Sequence, residues 1–163
     1  MLAQRLASTE IKAVYTSPLE RAIETAEPIA RKHGLDVRRV QGLGEISIGG
    51  WQGLEIAELD RHEDWRRFNT FRSGVRAPGG ELMIETQARM IREIDSIRVR
   101  HPADTVAVVS HGDPLRSVIA YFLGISLDLV LRMELSTGSL TIVQLDTGNA
   151  RVLCINQTEE VPL

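Results

Sequence analysis

Val108-Val109-Ser110-His111-Gly112-Asp113-Pro114-Leu115-Arg116 is an apolar run that stops at a histidine and continues into a helix start. From Thr105 to Val109 the side chains have the continuous, β-branched character of a strand buried on both faces. Asp113 is placed to cap the following helix, with Pro114 at its first position and Gly124 closing it. A strand running directly into a helix is the repeating unit of a parallel α/β sheet, and ligands bind at that edge of such sheets.

The same pattern occurs earlier in the chain. Ala13-Val14-Tyr15-Thr16 reads as a short buried strand, and Ser17-Pro18-Leu19-Glu20 supplies a capping serine, a proline at the first helical position and a glutamate three residues after the cap. Leu19, Ala22, Ile23, Ala26, Ile29 and Ala30 recur at helical spacing, and Gly34 ends the helix. Asp36 to Val40 predicts a second short strand, followed by a glycine-rich loop from Gly42 to Gly53. Leu54 to Arg72 reads as one or two surface helices packed through Trp65, Phe68 and Phe71. Pro78-Gly79-Gly80 breaks the chain before an amphipathic helix from Met83 to Arg100. Ser139–Leu145 and Arg151–Asn156 predict two strands joined by a turn. The alternation predicts a three-layer α/β/α sandwich with a mostly parallel sheet, formed as a single domain over residues 1–163.

Composition narrows the function. A net charge of -3 over 163 residues argues against broad nucleic-acid binding or attraction to membrane surfaces. Any bound anion must be held by a local cluster. The lone Cys154 excludes an internal disulfide and any multi-cysteine metal site, and its apolar neighbours predict a small buried core residue. No run approaches the roughly 18 apolar residues of a membrane span, and no signal peptide is visible at Met1, so a cytoplasmic protein is expected.

Three residues carry the chemistry. His111 lies where strand becomes helix, with unpaired N–H groups to follow; it is either an anion ligand or a histidine satisfied within a tight turn. Arg21 sits in a first helical turn, where the dipole disfavours a cation. A bound anion explains it, as does pairing with Glu20, Glu24 or Thr25. Glu45, in the glycine-rich loop, reads as a general acid whose pKa is raised by burial, or as a carboxylate capping backbone N–H groups. Glu81 could serve as an accessory acid or as a helix cap.

Taken together, these segments resemble the histidine phosphatase (phosphoglycerate mutase-like) superfamily. Tyr15-Thr16-Ser17-Pro18-Leu19-Glu20-Arg21-Ala22 is similar to its phosphate-arginine segment, and Leu43-Gly44-Glu45 to its acid-carrying loop. Pro78-Gly79-Gly80-Glu81 matches the next signature and Val108 to Arg116 the second-histidine motif, all in family order. The resemblance implies a phosphoglycerate mutase-like fold and a phosphohistidine formed on a first histidine. It also implies phosphoryl binding by Arg21, His111 and the Gly112 backbone, and proton transfer by Glu45. It implies no metal or cofactor and a phosphorylated small-molecule substrate.

The family's first strand, with its Arg-His-Gly motif, has no counterpart here. Arg31-Lys32-His33-Gly34 falls at a helix end, His62 in a polar helix, and His101 before Pro102. The strand and its helix, on the order of 30 residues, are therefore expected to be missing. Leu82 also stands where the family often has serine. The primary reading is a phosphomonoesterase, because the Gly53–Pro78 stretch is short like that of the compact phosphatases. The alternatives are a non-catalytic phosphate-ligand-binding protein of the same descent and a phosphoglycerate mutase proper. Without a central first strand, exposed strand edges predict a homodimer.

Overall fold

In the computed structural model, which describes residues 2–158, helix α1 (Leu2–Arg5) precedes β1 (Ile11–Thr16), α2 (Glu20–Lys32) and β2 (Val37–Arg39). Helices α3 (Ile56–Leu59), α4 (Glu63–Thr70) and α5 (Met83–Arg100) follow. The chain then runs through β3 (Thr105–Val109), α6 (Gly112–Leu123), β4 (Leu140–Asp146) and β5 (Asn149–Gln157). Strand β1 lies between β2 and β3 and is parallel to both, while β4 and β5 form an antiparallel hairpin. The fold is α/β with a parallel sheet.

Period-two alternation along the strands builds the layers. Val14, Ala107 and Val109 pack on one side against Leu6, Ala26, Ile29 and Ala30 from the α1–α2 region. Ala13, Tyr15, Val106 and Val108 pack on the other against Met90, Ile97 and Val118 of α5 and α6. A third cluster joins Trp51, Leu59 and Phe68 to Met83, Ala120, Leu127 and Val130, fixing the 51–70 segment against the start of α5 and the last turns of α6.

Several local expectations need correction. Helix α2 starts at Glu20 with Leu19 in the capping position and no side-chain cap of its own; Ser17 Oγ accepts the Leu19 N–H just ahead of the helix. Asp113 does not cap α6; the helix begins at Gly112 with His111 preceding it, and the Asp113 carboxylate pairs with Arg72. Strand β3 is covered on both faces, yet among the described residues it has a neighbour along one edge only, so its residues from Val106 onward are half-buried rather than buried. Phe71 is mostly exposed, leaving Phe68 as the buried aromatic of that segment. Cys154 is half-buried in the hairpin opposite Ile142, outside the core. Among the described residues no helix is long and apolar enough to cross a membrane.

Two loops meet at backbone distance near the sheet's C-terminal end. A Cβ on Gly49, at φ 51°, would lie 2.1 Å from the Pro78 carbonyl oxygen, and one on Gly80 would lie 2.2 Å from that of Ser47. Gly50 N–H donates to Pro78 O and Glu81 N–H to Ser47 O, so the loops are hydrogen-bonded as well as touching. Gly34 has a similar φ of 65° with nothing near its Cβ position. Gly34→Ala should therefore cost only the left-handed backbone penalty, about 1–2 kcal/mol. Gly49→Ala should add an overpacking cost of about 1–3 kcal/mol. Urea unfolding of the two variants checks this, and equal losses would show that the loops do not approach so closely.

Candidate active site

Strand pairing brings the principal residues together. Thr16 is in register with Val109, and Ser17 N–H donates to Val109 O at 2.9 Å, so the chain leaves both strands at the same point. Ser17 Oγ lies 2.7 Å from His111 Nε2, with Ser17 fully buried and His111 nearly so. One turn into α2, the Arg21 guanidinium reaches to 3.6 Å from Glu45 Oε2. His111 Nδ1 lies 3.9 Å from the same oxygen. Arg21, Glu45 and His111 thus converge from three segments of the chain, with the first-turn N–H groups of α6 beginning at Gly112.

The loop that carries Glu45 is held by a residue that sequence reading passed over. Arg89, in the middle of α5, donates to the backbone carbonyls of Gly42, Gly44 and Glu45 at 2.8–2.9 Å. Its Nε and second terminal nitrogen also grip the Glu81 carboxylate at 2.8 and 3.0 Å. Glu81 in turn accepts from Ser47 N–H at 2.9 Å, joining the two glycine loops. Glu81 is therefore neither an acid facing Arg21 nor the cap of α5, a part taken by Glu85 through its bond from Leu82 N–H. Arg89 carried no sequence signal beyond its place on the helix; its role depends on loop carbonyls brought near by folding.

Beside the site, Arg72 is buried with its guanidinium over the Phe68 ring at 4.6 Å and donates to Asp113 at 2.7 Å. Arg116 lies 3.5 Å from the same carboxylate. Asp113 would otherwise place an uncompensated negative charge at the start of α6, where an anion is expected to bind.

The titration behaviour suits anion chemistry. Burial pushes the Glu45 carboxyl above the usual carboxylate range, and Asp113 adds to this, against the Ile46 N–H bond and the charges of Arg21 and Arg89. Burial, with repulsion from Arg21 and Arg89, lowers His111 to about 4. His111 is thus a neutral imidazole at physiological pH, and its approach to Glu45 is not an ion pair. The structure brings together Arg21, Glu45, His111 and Gly112, and it joins Glu81 to them only through Arg89. The other histidines lie elsewhere: His33 ends α2, His62 precedes α4, and His101 bonds Tyr15 and Asp104. No group of three metal-ligating side chains occurs among the described residues.

The chain resembles known proteins over nearly its whole length. The histidine phosphatase superfamily (branch 1) matches residues 1–158. Phosphoserine phosphatase 1 of Hydrogenobacter thermophilus is 30% identical over 160 residues, covering 97% of this chain and 76% of that protein. A bifunctional protein of Mycobacterium tuberculosis is 35% identical over 150 residues, covering 91% of this chain and 41% of its own length. The structure of YhfR from Bacillus stearothermophilus superposes with a TM-score of 0.89 at 29% identity, covering 98% of this chain and 80% of that one.

The depressed His111 pKa has a consequence for stability. Between about 4 and 6.5 the unfolded histidine binds a proton that the folded one does not, so stability should fall as pH drops through that window. The raised Glu45 pKa acts in the opposite sense. Urea midpoints measured from pH 7 to pH 4.5 for the protein and for His111→Asn separate the two. The variant should lose part of the acid-side decline; an unchanged slope would mean that His111 is not buried as a neutral ring.

Proposed function

Because the chain belongs to branch 1 of the histidine phosphatase superfamily, we propose that it acts on phosphate monoesters as a phosphatase. The observation that carries this reading is the convergence of Arg21 and His111, at 3.6 and 3.9 Å, on one oxygen of a carboxyl group whose pKa is raised. Arg21, the His111 ring N–H and the backbone N–H groups starting at Gly112 bind the phosphoryl oxygens. They stabilise the charge that develops there. A histidine nitrogen attacks phosphorus while the bond to the ester oxygen breaks, and Glu45 protonates the departing oxygen. Glu45, now ionised, takes a proton from water as it attacks the phosphohistidine, releasing inorganic phosphate. None of these steps requires a metal or cofactor.

His33, His62 and His101 lie outside the cluster, and His111 already serves it as a buried ligand. The nucleophile in this reading is a histidine on a strand outside these 163 residues, seated along the free edge of β3. That edge is apolar on both faces, with Val106 and Val108 packed on one side and Ala107 and Val109 on the other. Left uncovered, it offers unpaired N–H and C=O groups, and the 163-residue chain pairs through it as a homodimer. A protein that binds phosphate ligands without turnover is the second reading, favoured if no such strand is supplied.

The test compares the chain as it stands with one extended upstream by an in-frame strand ending in Arg-His-Gly. The extended chain should hydrolyse p-nitrophenyl phosphate and form an acid-labile phosphoprotein, with Arg21→Ala reducing the rate by about 10²-fold or more. The 163-residue chain should bind inorganic phosphate, hydrolyse little and scatter light as a dimer. Phosphate binding without turnover in either form would establish the second reading. No phosphate binding in either form, or binding indifferent to Arg21→Ala, would overturn both.

A further inference from the structure

Ser17 stands inside the phosphate-arginine segment, yet none of the steps above uses it. Its hydroxyl is fully buried and has two polar neighbours among the described residues: Leu19 N–H, donating to Oγ at 3.2 Å, and His111 Nε2 at 2.7 Å. A hydroxyl has one proton and two lone pairs. With Leu19 N–H on one lone pair, the contact to His111 can be made in two ways. If Nε2 carried the ring proton, it would donate to the second lone pair, and the serine proton would be left in a buried space without an acceptor. If Nε2 is bare, the serine proton goes to it and every group is satisfied. The ring proton is then on Nδ1, the nitrogen that faces Glu45 Oε2.

We propose that Ser17 is a positioning residue whose hydroxyl donates to His111 Nε2 and holds the ring as the Nδ1–H tautomer, aiming one neutral donor at a phosphoryl oxygen. The opposite tautomer would turn a lone pair toward the anion and repel it. Geometry supports the assignment from the other side: Nδ1–H facing a carboxyl oxygen is attractive, and a bare Nδ1 there is repulsive once Glu45 ionises. This rests on the phosphate-site reading for its purpose, although the tautomer itself can be measured without any ligand.

Long-range ¹H–¹⁵N correlation spectra of the histidine side chains report which ring nitrogen holds the proton, with His111→Asn assigning the signal. At neutral pH His111 should show Nδ1–H. Ser17→Ala should shift the tautomer ratio toward Nε2–H by about tenfold, the equivalent of one lost hydrogen bond. Ser17→Thr, which keeps the hydroxyl, should retain Nδ1–H. Nε2–H in the unaltered protein, or an unchanged ratio in Ser17→Ala, overturns the proposal. If Ser17→Ala does not fold, the unaltered protein decides: Nδ1–H supports the assignment and Nε2–H refutes it. Titration with inorganic phosphate then separates the two claims. Binding weakened about tenfold in Ser17→Ala supports the positioning role. Absence of binding to the unaltered protein, with Nδ1–H in place, sinks the phosphate reading and leaves the tautomer assignment standing.

Discussion

The parallel ladder between β1 and β3 is the constraint on which the site depends. Pairing Thr16 with Val109, and carrying the ladder one bond further through Ser17 N–H to Val109 O, makes both strands end at one place. Ser17 and His111, 94 positions apart in sequence, become hydrogen-bonded neighbours because of it. A slip by one residue would turn Tyr15 and Val14 to the wrong layers and separate the pair. The hydrophobic alternation that fills the two helix layers therefore also sets the geometry of the candidate site.

A second constraint holds what the ladder cannot reach. Glu45 lies in a loop with little regular structure, and loops of that kind place side chains loosely unless their carbonyls are held. Arg89 holds three of those carbonyls and the Glu81 carboxylate with one planar guanidinium, a task that a lysine's single ammonium could not reproduce. Gly49 and Gly80 let the two loops close on each other without a Cβ between them. Glu45 is positioned by Arg89 of α5, acting through the backbone of the loop.

The two-period and 3.6-period patterns made the sheet, the helices and the strand-to-helix places of His111 and Arg21 legible in the sequence, and the glycine-rich loop drew attention to Glu45. Local signals misled where tertiary contact outbid them. Ser17-Pro18 has the composition of a helix cap, but the helix starts later, at Glu20, and the hydroxyl that accepts Leu19 N–H is shared with the buried imidazole. Asp113 before Pro114 looks like a cap as well, and Arg72 claims it. Neither Arg72 nor Arg89 could be distinguished from surface arginines, because pattern alone does not say which distant carboxylate or carbonyl will face a given helix position. Strand β3 read as fully buried from its side chains, since composition reports the two faces of a strand and is silent about its edges.

Most charges around the site are held against an opposite charge, and this ordering bears on what can bind. Arg72 and Arg116 share Asp113, and Arg89 grips Glu81, so these arginines are held against carboxylates. His111 is neutral, and burial biases Glu45 toward its protonated form. Arg21 remains, exposed and no nearer than 3.6 Å to Glu45, its one carboxylate neighbour among the described residues. The site thus offers the Arg21 guanidinium, a neutral ring donor and a helix N-terminus to an incoming anion, with a proton held close by. A dianionic phosphoryl group compensates all three, and its charge would raise the pKa values of both His111 and Glu45 once bound. In the proposed reaction, binding would then keep Glu45 protonated until a leaving oxygen takes the proton, and the electrostatics that select the anion would also ready the acid.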